Sequence, residues 1–231
     1  MPSSSAYSGS MSRLSPAPTT AFLDANVLAK PVTRSLVIFA GEDSGYVTTW
    51  SAYVEAEADA HLGPRKAPLT VVRTKAGMDL SPRGADAQRF SGTAAPDRQV
   101  LADAAAAGAA FLVTEDVDDF DPSDLDTVGI AAVNPDLFLA ERASRAGYEV
   151  AVRFMASAMR DPSRTPEELH ARIGRQHPLT VVAHADVFDV SPLPPPSSPP
   201  AVIFRGHRCL RCTETGTIGD HGLCEMCATG R

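Results

Sequence analysis

Between residues 20 and 185 the chain switches repeatedly between short apolar runs and longer segments of helical periodicity. Runs at 22–28, 46–50, 111–114 and 130–133 carry the β-branched and aromatic residues of strands. Segments at 33–40, 51–62, 97–107, 135–147, 149–159 and 166–174 predict helices. Start and stop signals agree: Ser51 can cap the helix that follows it, Pro96 and Asp97 open another, and Gly108 ends it. Strands alternating with helices predict an α/β fold, with a mainly parallel sheet covered by helices on both faces.

Set into the first apolar run, "AFLDANVLA" (21–29), is one acid, Asp24. An unpaired carboxylate is costly to bury. Ligands of parallel sheets gather at the carboxyl edge of the strands. Asp24 reaches that edge if its strand stops there, and Asp116 holds the equivalent place after the run 111–114. Glu57 lies on the helix after the second strand, and Asp97 opens the helix before the third. Carboxylates converging from separate elements repel one another, and a hard divalent cation such as Mg²⁺ or Mn²⁺ removes that penalty.

"FLDANVL" (22–28), "WSAYVEAEADAHL" (50–62), "DRQVLADAAAAGAAFLVTEDVDDF" (97–120) and "AVNPDLFLAE" (132–141) resemble, in order and spacing, the PIN-domain nucleases. The likeness covers residues 20–160. It implies a three-layer α/β/α sandwich and Mg²⁺- or Mn²⁺-dependent hydrolysis of RNA, leaving 5′ phosphate and 3′ hydroxyl ends. Asp24, Glu57, Asp97 and Asp116 match the family's metal-binding acids, and Asp119 matches an assisting one. Asn26, Ser51 and Thr114 match supporting polar positions. Many bacterial members are toxins paired with an antitoxin protein, others process RNA, and homodimers are common among them; the sequence does not choose between these roles.

Neighbouring residues compete for these assignments. Glu55 and Glu57 lie about 200° apart on a helix and cannot both face the site; the family spacing selects Glu57. Asp103 falls off the Asp97 face and reads as solvated surface. "DVDDFDPSD" (116–124) lacks the glycine and the final glutamate of an EF-hand loop. His61, His170, His177 and His184 have no ligand spacing and read as surface residues. The net charge of −7 argues against nucleic acid. However, residues 64–98 place Arg65, Lys66, Arg73, Lys75, Arg83, Arg89 and Arg98 against only Asp79, Asp86 and Asp97, a run suited to holding a phosphate backbone.

Near the C-terminus, "CLRCTETGTIGDHGLCEMC" holds Cys209, Cys212, Cys224 and Cys227 as two CxxC knuckles separated by eleven residues. Two such knuckles can surround one tetrahedral Zn²⁺, and the stretch resembles a zinc ribbon. A redox role lacks the strand-to-helix context of a thioredoxin motif. Arg205, Arg208, Arg211 and Arg231 make RNA contact one expected role of this module, with protein docking the other. The domain reading is therefore a disordered leader (1–19), a PIN-like domain (20–160), a helical extension (161–190), a Pro-rich linker (191–200) and a zinc module (201–231). No apolar run approaches the length of a membrane span, the longest being 104–113, and no secretory signal is visible, so a reducing cytoplasm is expected. The competing expectation is a catalytically silent PIN fold that binds RNA or protein, with the zinc module for recruitment.

Overall fold

The structure, a computed structural model, describes residues 17–63, 66–188 and 202–230. Most of the expected leader and all of the Pro-rich linker lie outside these residues. In chain order the elements are β1 (Thr19–Leu23), α1 (Ala25–Leu28), α2 (Pro31–Ala40), β2 (Tyr46–Thr49), α3 (Ala52–Ala60), α4 (Leu69–Lys75), α5 (Arg98–Ala106), β3 (Phe111–Val113), α6 (Pro122–Val128), β4 (Ala131–Val133), α7 (Pro135–Arg142), α8 (Arg145–Ala158), α9 (Pro166–Ile173), α10 (Pro178–Ala183), β5 (Phe204–Arg205) and α11 (Glu225–Thr229).

The fold is α/β. One sheet has the order β2-β1-β3-β4-β5, with the first four strands parallel and β5 antiparallel to β4. Strands β3 and β4 are buried at every residue, as is β1 from Ala21 to Leu23, which is why they read as unbroken apolar runs. The chain moves from β1 outward to β2, then returns to β3 beside β1 and continues outward to β4. The direction of winding thus reverses between β1 and β3, the place where open α/β sheets leave a crevice at their carboxyl ends.

Strand β1 begins at Thr19, inside the expected leader, and stops at Leu23 rather than Leu28. Asp24 takes an extended conformation and caps α1, ending the strand. The helix expected at 135–147 ends at Arg142, because Ser144 turns the chain and caps α8 through Gly147 N at 3.0 Å. Gly147 is an interior contact, not a stop signal: a Cβ there would lie 2.5 Å from Ala40 O on α2.

Three of the four histidines expected on the surface are buried: His170, His177 and His184. Tyr148 stacks on His184, with ring centroids 4.4 Å apart, and its hydroxyl lies 2.9 Å from His170 Nδ1. His177 Nε2 meets Thr33 Oγ1 at 2.9 Å, and burial pushes this imidazole down to about 4. These rings fasten α9 and α10 to the body. Asp103, expected on the surface, is also fully buried. Its Oδ1 accepts from Gly84 N at 2.7 Å and Gln99 Nε2 at 2.6 Å, anchoring the segment before α5.

The cysteine module does not stand apart. Phe204 and Arg205 complete the sheet, and Phe204 and Leu210 are buried with the main core. Gly206 makes the turn out of β5 at φ +127°, where a Cβ would lie 2.8 Å from Ala131 Cα. Gly206→Ala combines a left-handed strain with this clash, so thermal denaturation should show a loss of about 1–3 kcal/mol. Amide exchange should quicken first at Asn134, whose N–H donates to Ile203 O at 2.9 Å where β5 approaches β4.

Candidate active site and cysteine cluster

Asp24 is buried, and its carboxylate is fully engaged. Oδ1 accepts from Ala25 N at 2.6 Å, while Oδ2 accepts from Thr114 Oγ1 at 2.7 Å and Asn26 Nδ2 at 2.9 Å. The same Asn26 amide group lies 3.1 Å from Asp116 Oδ2, and Asn26 Oδ1 accepts from Glu115 N at 3.2 Å. Asn26 thus ties the turn after β1 to the turn after β3, and Thr114 supports both acids: its Oγ1 also accepts from Asp116 N at 3.2 Å.

The other acids arrive from separate elements. Asp97 is half-buried at the N-terminus of α5 and caps nothing with its side chain. Glu57 is exposed on α3, whose start Ser51 secures by accepting from Val54 N at 3.3 Å. Asp119 is exposed on the short turn after Asp116. Glu55 points elsewhere: Trp50 Nε1, Thr70 Oγ1 and Arg73 Nε bind it at 2.8, 2.7 and 3.0 Å. Burial works against its charge, but these donors outweigh burial and hold Glu55 below the ordinary carboxylate range.

The acids feel one another. Burial raises Asp24 to about 6, the Thr114 hydroxyl and Ala25 N–H partly offset this, and the charges of Glu57 and Asp116 add to it. Burial followed by the charges of Asp24, Asp119, Glu57 and Asp116 raises Asp97 to about 7. Asp119 is raised by burial, Asp116 and Asp118, with Arg205 opposing. Asp24 and Asp97 thus feel the charges of Glu57 and Asp116, and Asp97 also that of Asp119, while the Asn26 side chain joins Asp24 and Asp116 directly at the crevice where the winding reverses. Arg205 was not singled out for this place; it donates to Asp118 O and Phe120 O, both at 2.9 Å, and so braces the Asp119 turn from the C-terminal module.

Among the described residues, only Cys209, Cys212, Cys224 and Cys227 form a group of three or more potential ligands whose donor atoms all lie within 4.8 Å of one another. This spacing is close enough to hold a metal ion. The Cys212 and Cys224 sulfurs are 3.7 Å apart, and Cys224 N approaches Cys209 Sγ at 3.4 Å. The carboxylates are spread more widely.

Among the described residues, the arginines of this module are hydrogen-bonded within the protein. Arg208 Nε donates to Gly129 O at 2.9 Å, Arg205 is spent on the Asp118–Phe120 turn, and Arg211 binds Glu141 at 2.6 Å. Arg231 and Arg65 lie outside the described residues. The guanidinium groups of Arg205, Arg208 and Arg211 thus fasten the module to the α/β body.

Among the described residues, no helix is long and apolar enough to cross a membrane. Comparison of the chain with protein-family models, with curated proteins and with solved structures finds no match.

Proposed function

We propose that the chain is a Mg²⁺- or Mn²⁺-dependent endoribonuclease of the PIN type. The observation that supports this reading is the Asn26 bridge between the Asp24 and Asp116 carboxylates at the β1/β3 crevice, with Asp97 raised by the charges of Asp24, Asp119, Glu57 and Asp116. Crossovers between parallel strands are right-handed as a rule, and with the winding reversing between β1 and β3 that rule would put helices on both faces, as a three-layer sandwich requires.

The donor set fits a hard cation, being all carboxylate, and its breadth suits an ion that keeps much of its water. Asp24, Glu57, Asp97 and Asp116 would hold it, and it would supply an acidified water and charge neutralisation at the phosphate. Asn26 donates to both the Asp24 and Asp116 carboxylates and Thr114 to Asp24, so these oxygens need little reorganisation when substrate arrives. Asp119 lies beside Asp116 to steady water on the substrate side. Lys75, Arg83 and Arg89 would supply positive charge for the RNA backbone, Arg73 being paired with Glu55.

The four thiolates fit Zn²⁺. Sulfurs at about 2.3 Å from a tetrahedral zinc lie about 3.8 Å apart, and Cys212 and Cys224 already stand at 3.7 Å. The site is structural, since it has four protein ligands and no open position.

Cleavage of single-stranded RNA with Mn²⁺ and its abolition by EDTA test the nuclease reading; no cleavage with either Mn²⁺ or Mg²⁺ overturns it. Metal and protons compete for Asp24 and Asp97, so the Mg²⁺ concentration for half-maximal rate should rise as the pH falls below about 7, and more steeply below about 6. The second reading, a catalytically silent RNA- or protein-binding fold, rests on the wide spacing of the carboxylates; it predicts RNA binding without cleavage at any metal concentration. A toxin role, an antitoxin partner, a homodimer and a cytoplasmic location remain proposals from the family likeness alone.

A further inference from the structure

A cleft of about 930 Å³ opens beside the carboxylates and runs between α10 and the cysteine module. It begins at Glu115 and Asp116, so one of the candidate metal-binding acids belongs to its wall. Ligand sites span about 300–1,000 Å³ and combine apolar walls with a few polar groups. Here the apolar side comprises Leu179, Val182, Val202 and Ile203, and the polar groups include Gln176 and His221. Leu179 and Val182 are 41% and 63% exposed, although α10 is docked on α7 through Asp136, whose carboxylate accepts from Leu179 N at 3.0 Å and Thr180 N at 2.8 Å.

We propose that this cleft seats a nucleobase of the RNA substrate, adjacent to the phosphate at the carboxylates; the inference rests on the nuclease reading above. Three observations favour a base over other occupants. The cleft is continuous with the reacting end of the site. Its apolar side suits the faces of an unstacked base, and its amide and imidazole suit the polar edges. The lining carries four acids, Glu115, Asp116, Asp136 and Asp220, against the single lysine Lys30, which is paired with Glu115, so its net negative charge disfavours a phosphate inside while a neutral base can enter. This also gives the C-terminal module a task that its inward-turned arginines do not: it forms the far wall.

Binding of a short single-stranded RNA to the full-length protein, with Ca²⁺ in place of Mg²⁺, tests this by fluorescence anisotropy. Val182→Trp narrows the cleft along α10 and should weaken binding about 10-fold or more, whereas Val182→Ser leaves the space open and should bind nearly as the wild type. Removing a single base from the RNA at one position should weaken wild-type binding by about 5- to 150-fold, the range of one stacked base. The same abasic RNA should suffer no added loss with Val182→Trp. Equal binding by wild type and Val182→Trp overturns the inference, as does an abasic penalty that persists in the variant. So does a basic peptide that occupies the cleft while RNA binding stays intact. If the wild type cleaves RNA normally and Val182→Trp does too, only the cleft assignment falls; if the wild type neither binds nor cleaves RNA, the nuclease reading falls with it.

Discussion

Asp97→Asn should abolish metal-dependent RNA cleavage and at the same time raise the melting temperature of the metal-free protein. The Asp97 carboxylate is half-buried, makes no capping hydrogen bond and faces four other acids. Its native value of about 7 lies above the ordinary 3.8, so the folded state binds its proton more tightly than the unfolded chain. The stability linked to this group is present below pH 3.8 and is lost as the pH rises through about 7. Asparagine removes the repulsion and breaks no contact. Discounted for solvent screening at a half-exposed group, the gain is about 1–3 kcal/mol, or roughly 3–10 °C in a chain of this size. Loss of a charge that stabilises the reacting state should cost about 100- to 1,000-fold in rate. Asp24→Asn should be equally inactive without the gain in stability. An amide there must turn its nitrogen toward either Ala25 N or the Asn26 amide group, so a donor meets a donor. That loss, about 1–3 kcal/mol, offsets the relief of a buried charge. Calorimetry and a cleavage assay on both variants check the pair. Added Mg²⁺ should raise the melting temperature of the wild type and leave Asp97→Asn nearly unmoved. An active Asp97→Asn enzyme would remove this residue from the site.

The second large effect is expected at the cysteines. Cys209→Ser should lower bound zinc from one ion per chain to none and release the C-terminal module from the sheet. Cys209 is fully buried, and a module this small lacks a core of its own. Its release exposes Phe204 and Leu210, at about 1.5–3 kcal/mol each. Elemental analysis reads the metal, and hydrogen exchange over residues 202–230 reads the release. Unchanged protection in a metal-free variant would show that packing alone holds the module. The α/β body should keep its helical signal, because β1, β2, β3 and β4 pair without β5.

The sheet was readable because buried parallel strands are apolar on both faces, and Phe111–Val113 and Ala131–Val133 have no polar residue to confuse the pattern. Trp50, Thr70 and Arg73 occupy the Glu55 carboxylate, which leaves Glu57 as the α3 acid free for the role the family spacing assigns it. Asp103 and the three buried histidines were misread for a common reason. Polarity predicts exposure unless a partner is known, and their partners, Gly84, Tyr148 and Thr33, are 19, 22 and 144 residues away for Asp103, His170 and His177. Strand β5 is two residues long and carries no periodicity. Arginines followed by CxxC read as a basic surface; only the folded chain reveals carbonyls waiting for them at Gly129, Asp118 and Phe120.

Because β5 follows β4 by about seventy residues, the outer border of β4 stays bare while the rest of the polypeptide is being synthesised. At about 5–20 residues per second, that interval lasts about 4–14 s. For that time the nascent protein carries a naked strand margin able to pair with a foreign chain. Closing this margin and forming the far wall of the cleft are the same event, so residues 202–230 both shield the newborn sheet and complete the groove beside the acids.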